Sequence, residues 1–326
     1  MSARKPFELT VAGAGPVGLL FAWRLAQPAR DRTLRIRVVD PGEPAGWTES
    51  ADVDPRVYAL SRESQALLGS LWDNIASRRV SPYRQMHVWH GDSVFGSGSL
   101  HFDAAELGEP DLGHIVEDRL LRHVLLEGVM QAGIEVEFGV GVERLERTSN
   151  AASLRLADGR TLRPDLIVGA DGVNSRIRTD AGIASLTKDY GQRAVVAHIT
   201  TAGPHRETAW QRFLDEGPLA FLPLADGRSS IVWSVATTTA ERLLELDDDA
   251  FLAELGTASG GVLGNLSACT RRHAFPLRLL HARRYTQQGV ALIGDAAHAV
   301  HPLAGQGMNL GLRDAAALAA TLEAAL

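Results

Sequence analysis

Cysteine is nearly missing from this sequence: Cys269 is the single one in 326 residues. No internal disulfide can form, a zinc site built on several cysteines is excluded, and a reducing compartment suits such usage. A basic excess is missing too. The chain carries 33 Lys and Arg against 39 Asp and Glu, a net charge of −6, which excludes a nucleic-acid binder working through a broad basic surface. No uninterrupted apolar run reaches the about 18 residues that would cross a bilayer. The stretch from Phe7 to Trp23, behind Arg4 and Lys5, superficially looks like a leader. Gly13, Gly15, Pro16 and Gly18 interrupt it, so it reads as folded structure. A cytoplasmic location is expected, with peripheral membrane contact left open.

What is present is ordinary for a globular enzyme. The apolar fraction is 45% and the charged fraction 22%, so wholesale disorder and fibrous repeats are ruled out. At about 150 residues per domain, the length implies two domains or one large one. Such a chain buries a sizeable core without staples. Glycine is abundant, at 32 residues, and its placement carries the rest of the reading.

Phe7 to Ala12 reads as a buried strand, Pro16 to Gln27 as a helix with proline in its first turn, and Arg35 to Asp40 as a second strand. This βαβ unit implies a parallel sheet covered by helices. Arg62 to Ile75 and Asp118 to Ala132 read as helices. Gln85 to Phe102 reads as antiparallel strands, and Ile134 to Val142 as one strand. Ser153 to Leu162 forms a hairpin across Asp158-Gly159, and Asp165 to Ala170 is a buried strand. From about Arg193 to Leu280, short strands alternate with turns around one acidic helix, Ala240 to Leu255. That texture implies a mostly antiparallel second sheet. Gly289 to Ile293 and the helix Met308 to Ala325 return to the first pattern.

Three glycine motifs stand out. Gly13-Ala14-Gly15-Pro16-Val17-Gly18 lies between a strand and a helix, and Asp40 ends the next strand about 22 residues past Gly18. The glycines permit a tight turn and close approach of a pyrophosphate, which the helix N-terminus attracts. Asp40 suits an adenosine ribose, so a dinucleotide is the expected ligand. Asp171-Gly172 follows the apolar strand Leu166 to Ala170, where open α/β sheets bind ligands; a plain turn is the bland alternative. Gly294-Asp295, Pro302 and Gly305-Gln306-Gly307-Met308-Asn309 follow another apolar strand and open a helix. Asp295 can hold a sugar hydroxyl, and consecutive loop N–H groups can face an electron-rich ring oxygen.

GxGxxG, GADGVNSRIR and GDAAHAVHPLAGQGMNLGLRD, in this order, resemble the FAD-dependent aromatic hydroxylases of the p-hydroxybenzoate hydroxylase fold. RVYALS at Arg56 to Ser61, VEDR at Val116 to Arg119, GPLAFLPL and HPLAGQGMNLGLRD resemble the ubiquinone-biosynthesis hydroxylases in particular. The resemblance spans nearly the whole chain. It implies an α/β fold in which a Rossmann-like FAD-binding domain is interleaved with a mostly antiparallel substrate domain. The implied segments are 1–80, 106–185 and 284–326 for FAD, with 81–105 and 186–283 for the substrate. Gly13, Gly15, Pro16, Val17 and Gly18 would meet the pyrophosphate and Asp40 the ribose. Arg56 and Arg119 would approach the cofactor. Asp171 and Gly172 match a motif tied to FAD and reduced nicotinamide. Asp295 would hold the ribityl chain, Gly294 and Pro302 would contact the cofactor, and Gly305, Gln306, Gly307, Met308 and Asn309 would lie beside the isoalloxazine.

The implied reaction uses NADPH or NADH, FAD and O2 to hydroxylate an aromatic ring, with a lipophilic prenylated phenol as substrate and a ubiquinone-biosynthesis complex as partner. A catalytic base is not assigned; His198, His298 and His301 are candidates by type alone. The i, i+3 pair His298 and His301 lacks the acidic partner of a metal site. Trp210 and Trp233 suit either the substrate pocket or core packing. A hydroxylase of small aromatic acids, an epoxidase, a halogenase or a prenyl reductase would share the fold. A nicotinamide dehydrogenase would use the first motif alone. Family members usually continue beyond the GQGMNLGLRD helix into further C-terminal helices, whereas this sequence stops at Leu326, inside or just after that helix; those further helices are therefore expected to be absent, which admits a non-catalytic flavin scaffold as another alternative.

Overall fold

The computed structural model describes residues 5–27, 34–148, 152–301 and 305–326. Two large sheets organise it. The first has six strands in the order Thr286–Gln287, Val290–Leu292, Leu166–Gly169, Phe7–Ala12, Leu34–Asp40 and Glu135–Phe138. All its pairings are parallel except that of the terminal strand Thr286–Gln287. The helices Pro16–Ala26, Asp118–Gln131 and Gln306–Ala325 cover it, and Leu19, Phe21, Leu121, Leu125, Val168 and Leu312 share one core. Parallel strands buried on both faces have the near-continuous apolar sequences seen at Leu9 to Ala12 and Ile167 to Val168.

The second sheet is larger. Its main path runs His298–Ala299, His273–Ala282, Ser185–Thr201, Ser229–Ala236, Gly217–Pro223, Thr208–Leu214, Gln85–His90 and Ser99–Asp103. Leu266–Cys269 also pairs with Ser185–Thr201. The Thr208–Leu214 and Gln85–His90 pair is parallel and the others are antiparallel. One face packs against two helices through Val195, Ile199, Phe221, Ile231, Trp233 and Phe251. The other carries smaller residues, including Ala194, Ala209, Ala220 and Ser230, and looks towards the first sheet across a cavity.

Several expected elements divide. Arg62 to Ile75 is two helices, Arg62–Leu68 and Leu71–Ala76. Gly69, at φ +57°, separates them, and a Cβ there would lie 3.3 Å from Trp23. Ala240 to Leu255 is also two helices, Thr237–Glu245 and Asp248–Ser259. Asp247 accepts the Ala250 N–H at 2.8 Å and caps the second, starting a new helix inside the stretch expected to be one. The strand expected to reach Val142 ends at Phe138. Gly139 turns at φ +75° and Val142 opens the next strand. Among the described residues, no helix is long and apolar enough to cross a membrane.

Candidate active site

The strands Val290–Leu292, Leu166–Gly169 and Phe7–Ala12 are neighbours in the first sheet. Their parallel direction brings all three glycine motifs to one edge, which is where open α/β sheets hold ligands. Packing explains much of the glycine. A Cβ on Gly13, at φ +114°, would lie 2.3 Å from the Ala170 carbonyl oxygen, and one on Gly18 would lie 2.2 Å from the Gly13 carbonyl oxygen. Gly15, Gly172 and Gly307 are different: a Cβ on any of them would meet nothing within 4 Å. All three line a cavity of about 680 Å³ between the two sheets, within the about 300–1,000 Å³ usual for small-molecule sites.

Gly15, Pro16, Val17, Arg56, Gly172, Gly294, Asp295, Gly305, Gly307 and Met308 line this cavity. Gly13, Gly18, Asp40, Arg119, Asp171, Gln306 and Asn309 are not part of its wall, and Pro302 lies outside the described residues. Asp40 fastens the first loop: its carboxylate accepts the Ala14 N–H at 2.7 Å and the Gly42 N–H at 2.8 Å. Each oxygen keeps a second lone pair for a hydroxyl. Asp171 accepts from the Ser175 hydroxyl and from the Arg176 and Ile177 N–H groups. Burial pushes its pKa up while those bonds pull it down. Arg178 ties this turn to the third motif, donating to the Val173 and Ala296 carbonyls at 2.8 Å.

Arg119 donates to Asp54 at 3.0 Å and to the Asp52 carbonyl at 3.2 Å. It is Arg122, one turn further along the same helix, that reaches the cavity wall. Arg122 donates to Asp118 at 3.1 Å, and the Tyr58 hydroxyl donates to the other oxygen of Asp118 at 2.8 Å. Burial, with Asp118 beside it, pushes the Tyr58 phenol well above its ordinary range. Arg56 lines the cavity, its guanidinium 5.1 Å from the centre of the Phe275 ring. Arg122 and Phe275 lie outside every motif, and Tyr58 and Asn174, although within RVYALS and GADGVNSRIR, are not singled out there as site residues. The spacing that buries Leu121 and Leu125 does not single out Arg122 over Arg119.

None of the three candidate histidines lines the cavity. His198 is buried, its Nε2 is 3.0 Å from the Asp54 carbonyl, and desolvation lowers its pKa. His301 stands edge-on to Tyr190 at 5.3 Å. His298 Nε2 lies 2.6 Å from Asp314, which also accepts the Gly294 N–H at 2.9 Å. The Asp314 bond raises the His298 pKa. A raised folded pKa contributes stability fully below the unfolded value of about 6.5, and that stability fades as pH rises through the folded pKa. Melting temperature is therefore expected to fall between neutral and alkaline pH in the wild type, and to fall less in His298→Gln. Equal slopes in thermal scans of the two proteins would refute this.

Trp233 is buried in the core on the helix-covered face of the large sheet, and Trp210 packs against that core and stacks on His87 at 4.6 Å. Trp233 thus follows the packing alternative, whereas Trp210 both packs and lines the cavity. Cys269 is half-buried, and burial pushes its thiol up to about 11, far from a thiolate nucleophile.

Asp295 carries the chemistry that asks for a ligand. Its carboxylate has no hydrogen-bond partner among the described residues and opens onto the cavity, whose walls desolvate it and raise its pKa. The open glycines, the first helix N-terminus and this free acceptor together fit an extended dinucleotide with sugar hydroxyls.

Comparison with known proteins agrees. The family model described as FAD binding domain matches residues 7–326. The 3-demethoxyubiquinol 3-hydroxylase of Escherichia coli is 36% identical, over 96% of this chain and 79% of that protein. Ubiquinone hydroxylase UbiL of Rhodospirillum rubrum is 37% identical, over 99% and 74%. PqsL of Pseudomonas aeruginosa, solved in complex with 2-aminobenzoylacetate, shares the fold at a TM-score of 0.78 and 24% identity, over 98% of this chain and 86% of that one. The p-nitrophenol 4-monooxygenase PnpA of Pseudomonas putida does so at 0.74 and 18%, over 98% and 80%. With FAD as its cofactor, the chain belongs to this FAD-binding family and is a flavin-dependent monooxygenase related to the ubiquinone hydroxylases.

Proposed function

We propose that the chain uses NAD(P)H and O2 to hydroxylate a lipophilic, uncharged phenol of the ubiquinone-biosynthesis type. The observation that carries this reading is the contrast between the two cavity walls. One holds the three glycine motifs; the other is a sheet face of Ala194, Val196, Ala220, Leu222 and Val232 with Gln211 and Ser230 as its polar side chains. An aromatic acid would call for a cation among these residues; Arg278 does line the cavity, but from the neighbouring strand His273–Ala282, where it is solvent-exposed and shared with a second, smaller cleft.

In this reading the first-turn N–H groups after Gly15 hold the FAD pyrophosphate, which the helix dipole favours. Asp40 takes the ribose and Asp295 a ribityl hydroxyl. The backbone of Gly305 and Gly307 lies beside the isoalloxazine. Bound FAD would supply the transfer of electrons from NAD(P)H to O2, with one oxygen atom entering the ring and the other leaving as water. The apolar sheet face excludes competing water. A smaller cleft of about 290 Å³ beside the Asp171-Gly172 turn, with Lys188, Arg178 and Arg278, suits the nicotinamide nucleotide's phosphates. Segments 1–80, 106–185 and 284–326 form the FAD part, and 81–105 and 186–283 the substrate part. A prenylated substrate resides in the bilayer, so peripheral membrane contact and a ubiquinone-biosynthesis assembly belong to the same reading.

The test begins with colour. Purified protein is expected to be yellow, and Asp295→Ala to bind FAD about ten- to a hundredfold more weakly, the worth of a hydrogen bond to a charged group. Protein that takes up no FAD would sink the reading. Turnover under air with prenylated phenols and small aromatic acids, with product mass detected, then separates the substrate classes. Oxygenated product from the acids alone would overturn the lipophilic assignment.

A further inference from the structure

The cavity-facing side of the large sheet can be followed through its register. Val196 stands opposite Val232, Val232 opposite Ala220, and Ala220 opposite Gln211. Gln211 then stands opposite Val88, and Val88 opposite Leu100. Beside this row, Ala209 stands opposite Met86 and Met86 opposite Phe102. Paired residues point to the same face of a sheet. The wall of the cavity therefore continues without a break over two more strands, to the edge strand Ser99–Asp103. There Leu100 is 61% and Phe102 47% exposed.

Two features of this surface lack an explanation within the fold. The first is Gln211. It is 7% exposed and lines the cavity, yet its side-chain amide makes no hydrogen bond among the described residues. Its neighbour Arg212, on the other face, makes three. The Gln211 amide atoms open into the cavity rather than into packed protein, so water or a bound ligand supplies the partner that such an amide needs. The second is the edge. Edge strands are usually protected by charge, whereas this one presents leucine and phenylalanine on the face it shares with the cavity. Gln211 and Leu100 are two strand spacings apart, about 10 Å.

We propose that this face is a track for one amphiphilic substrate: Gln211 holds a ring oxygen, and the apolar tail runs over Met86 and Val88 to Leu100 and Phe102. The inference rests on the reading of the substrate as a lipophilic phenol. The amide can donate to a hydroxyl or ether oxygen and accept from a hydroxyl. It carries no charge, so it suits a neutral ring. The tail covers apolar surface that is otherwise wet and reaches the protein's edge, where a longer tail remains outside.

The experiment uses FAD-loaded protein and a series of 2-alkenylphenols, from a tailless ring to tails of several isoprene units. Equilibrium dialysis gives Kd, and oxygenated product is measured in parallel. In the wild type Kd is expected to fall about tenfold per isoprene unit along the track, less than full burial would give because one side stays wet. In Leu100→Ser/Phe102→Ser, two exposed positions, the ratio between tailless and long-tailed phenols is expected to shrink about tenfold. Gln211→Met, similar in shape, is expected to weaken phenols about tenfold while binding the matching alkenylbenzenes, which lack the ring oxygen, as the wild type does. An unchanged tail-length ratio in the double variant, or equal losses for phenols and alkenylbenzenes in Gln211→Met, would overturn the track. A wild type that binds the series with this tail dependence and yields no oxygenated product would leave the track standing and defeat the hydroxylase reading.

Discussion

Gly13→Ala is expected to give a colourless, strongly destabilised protein. At φ +114° the new Cβ would stand 2.3 Å from the Ala170 carbonyl oxygen and 2.6 Å from its carbon. Neither backbone is free to retreat. The Gly13 N–H donates to Val39 at 2.9 Å, and the Ala170 N–H donates to Ala12 at 2.8 Å. Overpacking and an unfavourable φ together cost about 3–5 kcal/mol, a large share of a typical protein's stability. Gly15→Ala is the informative comparison. Gly15 has φ −73° and open space around its Cα, so its melting temperature is expected to match the wild type. Its methyl would stand where a pyrophosphate approaches, so FAD affinity alone is expected to fall. Thermal denaturation of the apoprotein and flavin titration check the pair. Equal stability losses in both variants would mean that Gly15 serves packing as Gly13 does.

That contrast marks how far the sequence could be read. Strand, glycine turn and helix were legible because the local rules agree: β-branched apolar residues, then glycine, then proline at a helix start. The late motif at Gly294 was legible for the same reason. Local rules do not report what a side chain meets across a sheet. Asp40 reads as a ribose ligand, yet its carboxylate also holds the Ala14 and Gly42 N–H groups. Arg119 and Arg122 are both arginines on one amphipathic helix, and the position of Asp54 decides that Arg119 turns away from the cavity. The helix break falls at Gly69, φ +57°, a local helix-end signal, but that the Trp23 ring lies within 3.3 Å of where a Cβ there would stand is not readable locally. Gln211 had no signal at all: within a strand it is one polar residue among several, and its meaning arises from the absence of a partner.

Asn309 shows the same limit at the site's most tightly bonded point, and Asn309→Leu is expected to be among the most damaging single changes. The residue is 8% exposed. Its amide oxygen accepts the Ser61 N–H at 2.9 Å and the Ser64 hydroxyl at 2.6 Å. Its amide nitrogen donates to the Ala59 and Gly305 carbonyls, each at 2.9 Å. One side chain thus clamps the strand Val57–Ser61 to the start of the C-terminal helix, segments some 250 positions apart. Leucine fills similar space and leaves these buried groups unpaired, at about 1–3 kcal/mol for each that water cannot reach. A total loss of about 3–5 kcal/mol follows if relaxation rescues part of the network. Ser64→Ala removes one of the four bonds and is expected to cost about 1 kcal/mol. Denaturant melts of the two variants should therefore rank them clearly. Ala59, Gly305 and Met308 line the cavity, so the clamp also holds the proposed isoalloxazine seat, and Asn309→Leu is expected to weaken FAD as well. A variant with wild-type stability and full flavin occupancy would show that helix packing, with Gly311 against Val17, suffices to set this wall without the amide.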